Sequence, residues 1–117
     1  MKLYLLSIYQ PDGAPPASVD LAKVMHDVDV LIGDMKAAGA WVYNAGLYPP
    51  DTATVVTLTD REMAMTAGPY IQGKEHLGGL IIVQAADLEA GLEWGRQTAQ
   101  VIGLPIEVRP IVEEAER

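Results

Sequence analysis

Residues 66–84 read TAGPYIQGKEHLGGLIIVQ. The run holds a Gly68-Pro69 turn, the consecutive residues Lys74, Glu75 and His76, a Gly78-Gly79 pair and the apolar stretch Leu80–Val83. Turn residues leading into aliphatic and β-branched ones mark a loop that feeds a buried strand, Gly78–Gln84. Glycines beside titratable groups also allow a backbone to approach a ligand closely.

The flanking segments supply neighbours and cover for that strand. Before it, Ala53–Thr59 is rich in Val and Thr and reads as a strand. Asp60-Arg61 is a reversal into a short partner, Glu62–Met65, and Ala40–Leu47 is a further strand stopped by Pro49-Pro50. A helix precedes these, with Ser18 as its expected N-cap, a stripe of Leu21, Met25, Val28, Ile32 and Met35, and Gly39 as its stop. Asp20, Asp27 and Asp34 recur every seven residues on another face of that helix, with Lys23 able to bridge the first two, which reads as a solvated face rather than a metal patch. After the 66–84 run, Asp87 caps a second helix, Leu88–Ile102, closed by Gly103. Leu88, Gly91, Leu92, Gly95 and Ala99 share one side of it, and the two glycines predict close approach to a sheet. Pro105–Val112 is the last strand and Glu113–Arg117 a polar tail, so residues 1–112 form one domain.

The opening strand, Lys2–Gln10, is apolar on both sides: Leu3 and Leu5 on one, Tyr4, Leu6 and Ile8 on the other. Two helices cover one face of a sheet, so the second face predicts a partner, most simply another copy of the chain. Strand, helix, strands, helix, strand is an α+β order, and its compact solution is the ferredoxin-like split βαβ sandwich: an antiparallel sheet with two helices on one face.

Composition limits the function. With no cysteine in 117 residues, disulfides, thiolate catalysis and cysteine zinc sites are excluded, and the cytoplasm is the expected location. Leu3–Ile8 is too short for a signal peptide, and no run approaches the ~18 apolar residues of a membrane span. A net charge of −8 with scattered Lys and Arg argues against nucleic acid. Phosphate-cradling loops, HExxH, GxSxG and histidine clusters are all missing, so neither a metal nor another cofactor is expected.

Few residues remain for chemistry. Lys74 and His76 facing one pocket could hold a carboxylate or move a proton; alternatively, residues 74–76 are a solvated turn. His26, next to the buried stripe, reads as a boundary residue. Arg109 and Glu107 share a face of the last strand; Arg109 either lies on an exposed edge or, if covered, needs a carboxylate. The expected site is therefore His76 as proton shuttle, with Gly68, Pro69, Tyr70, Lys74, Glu75 and Arg109 around a small polar or anionic ligand.

The order of GPY (68–70), KEHLGG (74–79) and EVRP (107–110), with LYLLSIY at the start and MKAAGAWVYNAGL, PPDTATVV and DLEAGLEW between, resembles the YCII-related proteins, in particular the branch named for a DGPF motif. The resemblance implies a ferredoxin-like fold and a homodimer packed sheet to sheet as a dimeric α+β barrel. For function it implies a His and an Asp sharing a cleft in enzymatic relatives, dehydrochlorination in one branch, and a regulatory setting beside extracytoplasmic-function sigma factors in others. Here Ala67-Gly68-Pro69-Tyr70 stands in place of the motif, and Gln72 where many relatives have Glu. Loss of both carboxylates weakens any scheme that moves a proton through either. Two functions stay open on this reading, a ligand-binding or enzymatic cleft in the dimer and a non-catalytic regulatory module.

Overall fold

The structure is a computed structural model describing residues 1–117. Its main sheet contains β1 (Lys2–Pro11), β2 (Trp41–Gly46), β5 (Glu75–Ala85) and β6 (Ile106–Pro110), in the order β2-β5-β1-β6 with every neighbour antiparallel. Helix α1 (Leu21–Ala37) joins β1 to β2, and α2 (Leu88–Ile102) joins β5 to β6. Each connection skips a strand, which is the split βαβ arrangement expected for this order of elements. A separate hairpin, β3 (Thr54–Thr59) with β4 (Glu62–Ala67), is inserted between the two halves.

Alternation places Tyr4 and Leu6 of β1 with Ile81, Val83 and Ala85 of β5 on the helix side, where they pack with Leu31, Ile32 and Met35 of α1. Leu3 and Leu5, opposite Gln84 and Ile82, fall on the other side, which neither helix covers. The two-faced first strand thus belongs to a two-layer slab.

Both helices are capped by aspartate. The Ala90 N–H donates to the Asp87 carboxylate at 2.9 Å and the Lys23 N–H to that of Asp20 at 3.1 Å. The first helix is therefore capped by Asp20, two residues beyond the expected Ser18. Its buried row also differs. Leu31, Ile32 and Met35 are buried with Val28 packed against them, whereas Leu21 and Met25 are exposed. Helix α1 packs against α2 as well as the sheet, which rotates its inward arc towards Leu31. On α2 the inward row is Gly91, Gly95 and Thr98, with Leu88 and Leu92 partly exposed at its sides. A Cβ on Gly91 would lie 3.0 Å from the Tyr4 ring and one on Gly95 2.4 Å from Val108 Cγ2, so the expected close approach is present.

The Gly78-Gly79 pair is a β-bulge. Ile8 pairs with Gly79 and Tyr9 with Leu77, leaving Gly78 unpaired, and the Gln10 side chain fills the space where a Gly78 Cβ would be. Consequently β5 starts at Glu75, and Glu75 and His76 are strand residues rather than part of a turn.

Candidate functional site

The bulge re-aims the first residues of β5 at the end of β1. Gln10 and Pro11 pair with His76 and Glu75, and the next N–H, that of Asp12, donates to the Lys74 carbonyl at 2.8 Å. This register brings Asp12, in the turn after β1, beside a residue far along the chain. His76 Nδ1 lies 2.9 Å from Asp12 Oδ1, with the His76 side chain only 16% exposed and that of Asp12 54% exposed.

The pair stands in a cleft of about 890 Å³, within the range of small-molecule sites. One wall is the end of β1, with Gln10, Asp12 and Gly13. Another is the segment after β2, with Leu47, Pro49, Pro50 and Asp51, tied in by Leu47 N–H donating to the Gly78 carbonyl at 3.0 Å. The third is the segment from Ala67 to Gly73 at the foot of the hairpin, and Glu75 and His76 complete the lining. Gly68 N–H closes the foot by donating to the Ala53 carbonyl at 2.7 Å. Its φ of 101° lies where glycine is favoured.

Four of the expected site residues, Gly68, Pro69, Glu75 and His76, are brought together here. Tyr70 and Lys74 flank the cleft without lining it; Tyr70 is exposed and Lys74 contributes its backbone to the Asp12 bond. Arg109 lies elsewhere. It is opposite Leu5 while His76 is opposite Gln10, and five residues of β1 at ~3.3 Å each separate them by roughly 16 Å along the sheet. Its guanidinium pairs with Glu107 on the exposed edge. His26 is exposed on α1, away from the cleft.

Asp12 is the residue that sequence reasoning missed. Pro11-Asp12-Gly13 reads as turn punctuation, and only the pairing of β1 with β5 shows what it faces. Three carboxylates line the cleft, Asp12, Asp51 and Glu75, and no Lys or Arg does. Its field therefore favours hydrogen-bond donors and positive charge over anions.

An ionised carboxylate only accepts hydrogen bonds, so Asp12 selects the His76 tautomer with its proton on Nδ1. Nε2 then carries the lone pair and is the ring atom open to a hydrogen-bond donor.

The family model for the YCII-related domain matches residues 16–115, and the chain belongs to that family. No curated protein matches the chain.

Proposed function

We propose that this YCII-related protein binds a small polar molecule in the cleft beside His76 and moves a proton on it without a cofactor. The observation that carries the reading is the 2.9 Å contact between His76 Nδ1 and Asp12 Oδ1. Nε2 of His76 acts as the base, and the proton it gains returns to the substrate at a neighbouring atom or leaves through water. Asp12 orients the ring and balances its charge. Asp51 and Glu75 accept hydrogen bonds from the ligand, which narrows it to a neutral or cationic molecule; an anion would need Lys74 or Arg109, and neither lines the cleft.

The working form is a homodimer in the cytoplasm. The sheet face bearing Leu3, Leu5 and Ile82 has no helix over it, and a second copy covers it. A cysteine-free chain fits the reducing compartment.

A thermal-shift panel of small amines, amides, polyols and carboxylic acids tests this on wild type, His76→Gln, Asp12→Asn and Lys74→Ala. A ligand at 100 times its Kd adds about 2.7 kcal/mol of stability, which the assay resolves. The expected hits are amines or neutral polar compounds, lost in His76→Gln, weakened in Asp12→Asn and kept in Lys74→Ala. A panel without hits on wild type, or hits that survive His76→Gln, would overturn the proposal. Nitrogen NMR of the two histidines gives a second reading, with His76 expected as the Nδ1–H tautomer and Asp12→Asn removing that preference.

A further inference from the structure

The β3–β4 hairpin stands apart from the core. Asp60 and Arg61, at φ 49° and 69°, form its two-residue turn, and the register Val56↔Met65 and Leu58↔Met63 places four apolar side chains on one face. All four are exposed, Met63 by 62% and Met65 by 75%. The opposite face carries Thr57 and Ala64 with Val55 and Thr66. This is the alternation of a half-buried strand pair with nothing in its own chain to bury it.

The whole molecule shows the same deficit. Its radius of gyration is 16.5 Å, against about 13.4 Å for a compact domain of this length. Its accessible surface is 8407 Å², whereas a compact monomer of 12.6 kDa exposes about 6,200 Å². The excess of roughly 2,200 Å² is well above the ~800 Å² that each partner contributes to a stable interface. The open sheet face alone does not account for it. Its four strands, 10, 6, 11 and 5 residues long and ~4.8 Å apart, span roughly 500 Å².

We infer that the β3–β4 hairpin is a clasp whose Val56, Leu58, Met63 and Met65 face packs on a second copy of this chain. The inference rests on the homodimer proposed above and adds the arm to its interface. In a two-fold dimer each arm docks once on the other copy, so two clasps close symmetrically and no apolar face is left to propagate. The clasp also bears on the cleft. Strand β4 ends at Ala67, and Ala67, Gly68 and Pro69 are cleft wall, held by the Gly68–Ala53 bond to the residue that precedes the arm's other strand. An arm fixed by the second copy fixes that wall, so the dimer holds the third wall of the cleft in place.

Methionine oxidation tests the clasp on the unaltered protein. Met25, 68% exposed on α1, is the free reference, and Met35, fully buried, is the protected one. Oxidation by dilute peroxide tracks exposure, so in the purified dimer Met63 and Met65 are expected to form sulfoxide on the order of ten-fold more slowly than Met25. Light scattering on the same sample gives its mass. A dimer whose Met63 and Met65 oxidise as fast as Met25 overturns the clasp and leaves the sheet-face dimer standing. A mass of 12.6 kDa across working concentrations overturns both. The variant Leu58→Lys/Met63→Lys, altered only outside the core, is expected to dissociate at concentrations where wild type stays dimeric while unfolding as a cooperative monomer. A variant that remains as dimeric as wild type counts against the clasp.

Discussion

The β1–β5 ladder and the β3–β4 ladder are built on the same rule and end in opposite surroundings. Both are antiparallel and carry an apolar set at alternate positions on one face, to which β1–β5 adds Leu3, Leu5 and Ile82 on the other. In β1–β5 the alternate set lies under two helices, and Leu6 and Val83 are fully buried. In β3–β4 it lies in solvent, and Leu58 is 67% exposed. Alternation states which face is to be covered; it carries no information on whether the cover belongs to the same chain. The connecting elements decide that. Strands β1 and β5 each lead into a helix that folds back over them, whereas the hairpin is flanked only by loops and a short 3-10 turn.

The largest expected effect separates the two ladders directly. Leu6→Ala opens a cavity in a closed core and is expected to cost about 2–5 kcal/mol at any protein concentration. Leu58→Ala is expected to cost the isolated monomer under ~0.5 kcal/mol, the usual range for a surface site. With the proposed clasp its cost is expected to rise with concentration, because dimer formation would bury the residue. Denaturant unfolding at dilute and concentrated protein reads both. An equal, concentration-independent loss for the two substitutions would erase the distinction.

A smaller effect sharpens the helix side of the comparison. Helix α2 approaches the sheet across Gly95, where an added Cβ would sit 2.4 Å from Val108 Cγ2. Alanine gains roughly 1 kcal/mol of helix propensity over glycine, and overpacking costs about 1–3 kcal/mol, so Gly95→Ala is expected to be destabilising by about 1 kcal/mol net. Val108→Ala in the same chain removes the obstructing methyl. A double-mutant cycle is then expected to show a coupling of roughly 0.5–3 kcal/mol in the compensating direction. Additive effects would mean that the helix moves away instead of being held by the sheet.

These contrasts separate the parts of the molecule that are legible in the sequence from those that are not. The order of elements, the Asp87 cap, the Gly103 stop and the close-approach glycines of α2 depend on local pattern, and local pattern locates them. The cap of α1 lies two residues from the expected one because Ser18 and Asp20 carry equally good capping side chains. Its buried row departs from the periodic stripe because α2, a neighbour distant in sequence, sets the inward direction. The strand reads as starting at Gly78 because a Gly-Gly pair carries turn chemistry, although Gly78-Gly79 makes a bulge within a strand that begins at Glu75. The site is half legible. His76 and its glycine neighbours stand in one run, but Asp12 is brought to His76 only by the β1–β5 register, which one-dimensional periodicity does not encode. Arg109 illustrates the converse: a charged residue that the sequence offers to the cleft is carried away from it by its place on the edge strand.

The smallest expected effect tests the other exposed surface, the outer face of α2, against the arm. There Glu93 accepts two bonds from the Arg96 guanidinium, at 2.6 and 2.9 Å, and one from Gln97 at 3.1 Å. These bonds, Arg96 first and then Gln97, hold the Glu93 carboxyl below the ordinary carboxylate range. A pKa lowered by folding gives stability that is present above the unfolded-state pKa and lost as pH falls through the folded value. Glu93→Gln is therefore expected to lower the urea midpoint slightly at neutral pH, and the difference from wild type is expected to vanish once the carboxylate is protonated. The loss is small because the pair lies on the solvent-exposed surface, where ion pairs contribute little and added salt weakens them further. A difference that persisted in acid would assign the effect to side-chain packing instead of charge. The arm predicts the reverse signature: its exposed groups are apolar, so the stability that Leu58 adds is expected to vary with protein concentration and to be unmoved by pH or by moderate salt.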